Sequence, residues 1–81
     1  MAIYVVETFL SRERAADLQS LTDRLRDAFP VKHLASYFIP EEETTLHVVQ
    51  ATSPDAVRAA LERAGIAADR IVLADMIDSP V

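Results

Sequence analysis

The chain has no cysteine, so no disulfide can supplement its core. It has a single glycine, which rules out a glycine-rich phosphate loop, and no CxxC, GxGxxG, P-loop or HExxH pattern occurs. No apolar run approaches membrane-spanning length. The opening MAIYVV is too short for the apolar region of a signal peptide and has no basic start. A soluble, cytoplasmic protein with no membrane partner is expected. Bases are the minority charge, 8 against 13 acids, for a net charge of -5. Arg12, Arg14, Arg24, Arg26, Arg58, Arg63 and Arg70 are interleaved with acids, so no basic patch forms and nucleic acid is not an expected partner.

What the chain does have is apolar surface. Hydrophobic residues make up 51% of its 81 positions, in a chain near the size where a lone core is barely sufficient. One domain, residues 1–81, is expected. Burying part of that surface against a second copy predicts a homodimer, most simply a twofold one.

Along the chain, Ile3 to Phe9 (IYVVETF) reads as a central strand, apolar on both parities, with Glu7 its only charge. Ser11 is a candidate N-cap with Glu13 in the first turn. Ala15, Leu18, Leu21, Leu25 and Ala28 then repeat at helical spacing up to Pro30. Val31 to Ile39 and Thr44 to Ala51 read as a hairpin joined by a short acidic turn. Thr52-Ser53-Pro54-Asp55 starts a second helix, with Ala56, Val57, Ala60, Leu61 and Ala64 as its stripe and Gly65 as its left-handed exit. Arg70 to Ile77 is the last strand. The order βαββαβ predicts a ferredoxin-like α+β fold: a four-stranded antiparallel sheet with two helices on one face. The other face has no cover within the monomer, a second reason to expect a dimer.

With the hairpin turn centred on Glu42, Tyr37 faces His47 and Ile39 faces Thr45. Alternation then puts Leu34, Ser36, Phe38, Leu46, Val48 and Gln50 on one face and His33, Ala35, Tyr37, Ile39, Thr45, His47, Val49 and Ala51 on the other. The first set is the more apolar and is expected under the helices, leaving His33, Tyr37 and His47 on the open face. On a flat hairpin the two histidines stand roughly 13 Å apart at ~3.3 Å per residue, too far to share one metal ion within a chain.

The chain resembles a small ferredoxin-like domain family that includes a nickel-binding protein. The resemblance spans nearly its whole length, through YVVETF, ASYFIP with its polar turn, HVVQATSPDAVRAALERAGIAADRI and the closing IDSP. More broadly it is similar to dimeric α/β-barrel proteins, in which two such sheets face each other across a ligand cleft. Glu7, Ser36 and Tyr37 match the family pattern. The pattern has a histidine where this chain has Ala35, a cysteine at His47, a glutamate at Gln50 and an aromatic at His33. The resemblance implies divalent metal, nickel first, as a candidate cofactor, and His47 keeps a nitrogen donor where the thiol is missing.

The expected function is therefore a dimeric small-molecule or divalent-metal-binding protein that uses its open sheet face. Glu7, Tyr37 and His47 are the candidate ligand-binding residues, and His47 with His33 the candidate metal ligands. Glu7 earns its place because a charge inside an apolar strand must be solvated or paired. An enzyme of the dimeric α/β-barrel kind is the alternative, an isomerase, cyclase or cofactor-free oxygenase using the same three residues for acid–base work. An interaction module with no pocket is the third reading. Ser36 and Gln50 share a parity and are expected to bond to each other. Glu41-Glu42-Glu43 is expected to keep the hairpin soluble.

Overall fold

The structure, a computed structural model, describes residues 1–77; Asp78, Ser79 and Pro80 of the closing motif lie outside them. Its elements are β1 (Ala2–Phe9), a 3₁₀ stretch (Arg12–Asp17), α1 (Leu18–Arg26), β2 (Lys32–Ile39), β3 (Thr44–Ala51), α2 (Pro54–Ala64) and β4 (Arg70–Ala74). The strands form one antiparallel sheet in the order β2-β3-β1-β4. This is the expected ferredoxin-like arrangement.

The core lies between the helices and one sheet face. Tyr4 and Val6 of β1 and Val49 and Ala51 of β3 pack against Leu25, Val57, Ala60, Leu61 and Ala64. The small side chains of α2 let that helix sit close to the sheet. Its ends follow the sequence signals. Ser53 Oγ accepts the Ala56 N–H at 3.1 Å. Gly65 takes φ 71° as the left-handed exit, and the Ile66 N–H returns to the Leu61 carbonyl at 2.9 Å.

The first helix differs from expectation. Arg12–Asp17 is 3₁₀ and only Leu18–Arg26 is α-helical. None of Arg12–Asp17 is buried, so no core contact draws that stretch into α geometry. Ser11 makes no side-chain cap; the Arg12 N–H is taken instead by Glu43 Oε2 at 2.8 Å. The acidic turn is thus a structural tie as well as a soluble tip. The Leu10 N–H also binds the Glu43 carbonyl at 2.8 Å. The last strand is shorter than expected because Ala74 already pairs with Ile3, near the start of β1, and the ladder runs out.

The hairpin register differs by one, and this moves the site. Ile39 pairs with Thr44, Tyr37 with Leu46 and Ser36 with His47. The turn occupies residues 40–43, closed by Glu43 at φ 49°. A bulge between His33 and Ala35 then shifts β2, so that His33 pairs with Val49. The face assignment of β3 is reversed: Thr45, His47, Val49 and Ala51 are buried beneath the helices, while Leu46, Val48 and Gln50 lie on the open face. Apolarity could not decide this, because β3 is apolar on both parities. Pairing with β1 decides it, since Val6↔His47 and Tyr4↔Val49 commit those residues to the side of β1 that carries the core.

Candidate functional site

The reversal brings the two histidines together. His47, 1% exposed, approaches Ser36 Oγ through Nδ1 at 2.6 Å. His33 Nε2 reaches the same oxygen at 2.8 Å. Two positions that a flat hairpin would hold about 13 Å apart are two hydrogen bonds apart, because the bulge turns His33 to the helix side. Ser36, expected to bond Gln50, is the bridge instead, and Gln50 lies on the other face beside Ile3 and Lys32. A hydroxyl has one proton, so Ser36 donates to one imidazole and accepts from the other.

Neither ring is a ready cation. Burial first, and then the nearby His33, lower the His47 pKa from 6.5 to about 4. His33 is also lowered, first by desolvation and then by the Arg26 charge, against a backbone hydrogen bond to Ala35 that raises it. Both imidazoles are neutral near pH 7, so each has one lone pair, and one of the two accepts the Ser36 proton. His33 and Ser36 open on a groove of about 370 Å³ between α1 and β2, bounded by Leu18, Thr22 and Arg26.

Glu7 does not join this group, whereas Tyr37 lines the same groove as His33 and Ser36. Glu7 faces the open side, opposite Leu46 and Arg70, and its Oε2 lies 3.5 Å from Arg70 Nε. Tyr37 is 60% exposed. Of the expected acid–base trio, Glu7 therefore lies across the sheet from His47, and no single ligand on one face can touch both. Thr45 is a residue the sequence reading missed. It is fully buried, its Oγ1 has no hydrogen-bond partner among the described residues, and with His47 it lines a second pocket. The available signal was a threonine two positions from a histidine on one strand parity.

As a metal centre the donor set is small. His33 Nε2 and His47 Nδ1 converge on one hydroxyl, but among the described residues no group of three or more His, Cys, Asp or Glu is placed to hold an ion. The pair offers at most two ligands, and an ion between them would have to displace the Ser36 hydroxyl.

No curated protein sequence matches the chain. Its fold matches the crystal structure of SCO4226 from Streptomyces coelicolor A3(2), with a TM-score of 0.71 over 95% of this chain and 100% of that one, at 18% identity. No helix among the described residues is long and apolar enough to cross a membrane. A family model described as nickel responsive protein SCO4226-like matches residues 6–73, and with all four strands and both helices inside or overlapping that span, the chain belongs to that family.

Proposed function

We propose that the protein is a homodimeric binding protein for a divalent transition metal of the nickel class, held by His33 and His47. The observation that carries this is the approach of two neutral imidazole nitrogens to one point, Ser36 Oγ, at the floor of an open groove. Neutral imidazoles bind such metals without first releasing a proton. The family's name, nickel responsive, agrees with it. Two nitrogens and no thiolate make a weaker site than a cysteine-bearing one.

The second copy is expected on the open sheet face. Ile3, Val5, Leu46, Val48 and Val72 are only half-buried there, and no element among the described residues covers them. A stable pairing needs at least ~1,000 Å² of total buried surface, which a four-stranded face can supply.

Titration calorimetry with nickel tests the metal reading. Binding is expected in the parent and in neither His47→Ala nor His33→Ala. Tight binding that survives both substitutions would place the ligands elsewhere, with Glu41 to Glu43 the next candidates.

A further inference from the structure

The protons along His33, Ser36 and His47 have a direction. The backbone bond to Ala35 raises the His33 pKa, so its backbone partner is a carbonyl that accepts from the ring. With Nε2 turned to Ser36 Oγ at 2.8 Å, the N–H that reaches Ala35 is Nδ1–H. A neutral imidazole has one N–H, so His33 Nε2 carries the lone pair and takes the Ser36 proton. The Ser36 oxygen in turn accepts from His47 Nδ1–H at 2.6 Å. A hydroxyl aimed at a base, with the base's other edge fixed by a third group, is the arrangement that activates a serine nucleophile. Donation from His47 also stabilises negative charge on the same oxygen.

The hydroxyl is placed where a substrate could meet it. Ser36 and His33 are partly exposed, and both line the groove of about 370 Å³ between α1 and β2, a volume in the range of small-molecule sites. Leu18 and Leu34 give that groove apolar wall for an acyl group, and no carboxylate lines it. Arg26 lines it too and, although paired with Asp23 at 3.0 Å, brings positive charge near a developing oxyanion. We propose that Ser36 is an acyl-accepting nucleophile, with His33 as its general base and His47 as the donor that holds Oγ, acting on small activated esters whose leaving group is a phenol or a thiol. Ser36 Oγ forms a bond to the acyl carbon while its proton passes to His33 Nε2. The bond from that carbon to the leaving oxygen or sulfur breaks, and the leaving group takes the proton back. Water then repeats the sequence on the acylated serine, releasing the acid and restoring Ser36. Phenols and thiols depart without full protonation, so a groove with one proton carrier suffices for them. The proposal goes beyond the metal reading and needs the pair free of metal, since an ion between the imidazoles displaces the hydroxyl.

The probe is p-nitrophenyl butyrate, added to the full chain in the presence of a chelator. Saturable release of nitrophenolate is expected, with a butyryl group on the peptide that carries Ser36 when the reaction is quenched and read by mass spectrometry. Ser36→Ala should abolish both. His33→Gln keeps a polar side chain but has no base, and should slow acylation by about 100-fold or more. Ser36→Cys offers a nucleophile at the same position and should again be acylated there, which keeps the test decisive if Ser36→Ala fails to fold by circular dichroism. Ser11→Ala, whose hydroxyl caps nothing, should react like the parent. Acylation confined to Lys32 or Tyr37 is ordinary surface labelling and overturns the proposal. So do release that is linear in probe concentration, and an adduct that forms on Ser36 at the parental rate in His33→Gln. Ser36→Ala retains both imidazoles, so nickel titration of that variant reads the metal site by itself, and either reading can fail while the other stands.

Discussion

Acidification should weaken this fold through His47, and the size of the effect can be worked out. In the unfolded chain the imidazole titrates near 6.5; in the folded protein burial holds it at about 4. Between those values the unfolded state binds the proton and the folded state does not, so stability falls as pH drops through 6.5 and the loss is complete below 4. From pH 7 to pH 5 the two pKa values give a loss of about 1.8 kcal/mol, and solvent penetration into the groove reduces this to roughly 1–2 kcal/mol. The charged groups facing the ring are few: His33 across Ser36, Arg26 beyond it and Arg14 at the second pocket. All can only carry positive charge, so none favours a protonated His47. Urea unfolding at pH 7, 6 and 5 measures the slope, with His47→Gln as the comparison because it keeps a polar group near Ser36 and does not titrate. The parent should lose that amount of stability relative to the variant. Equal slopes, or an NMR titration that puts the His47 pKa near 6.5, would refute the argument, since either result means the ring is solvated in the native state.

Other outcomes follow from single contacts. Glu7→Gln should change stability by no more than about 0.5 kcal/mol, because its ion pair with Arg70 is 3.5 Å long and exposed on the arginine side, and nickel binding should be untouched; a loss of binding would return Glu7 to the site. Val48→Glu should turn the proposed dimer into a folded monomer, read by light scattering beside circular dichroism, and a variant that stays dimeric would mean the open face is not the interface. Gly65→Ala should lower stability by about 1 kcal/mol in thermal melts, because φ 71° is strained for any residue with a Cβ. Ser53→Ala should cost a similar amount, about 1 kcal/mol, by removing the hydroxyl that caps α2.

The sequence by itself determined the element order, and with it the fold. A proline and a serine start α2, Gly65 ends it, and β-branched runs mark the strands; each is a local signal that needs no distant contact to be read. It also showed that Glu7, a charge inside an apolar strand, had to be solvated or paired. The site itself was decided by tertiary structure. A turn closed by Glu43 at positive φ shortened the hairpin register by one residue, and the bulge after His33 brought that histidine onto the face of His47 and Ser36. Neither event leaves a mark in hydrophobic periodicity, because β3 is apolar on both sides and a bulge is a local adjustment to twist. Which parity of β3 is buried depends on its pairing with β1, and β1 is in turn held by the helices packed over Tyr4 and Val6. The imidazole pair and the orphan hydroxyl of Thr45 therefore exist only once four strands and two helices are in place.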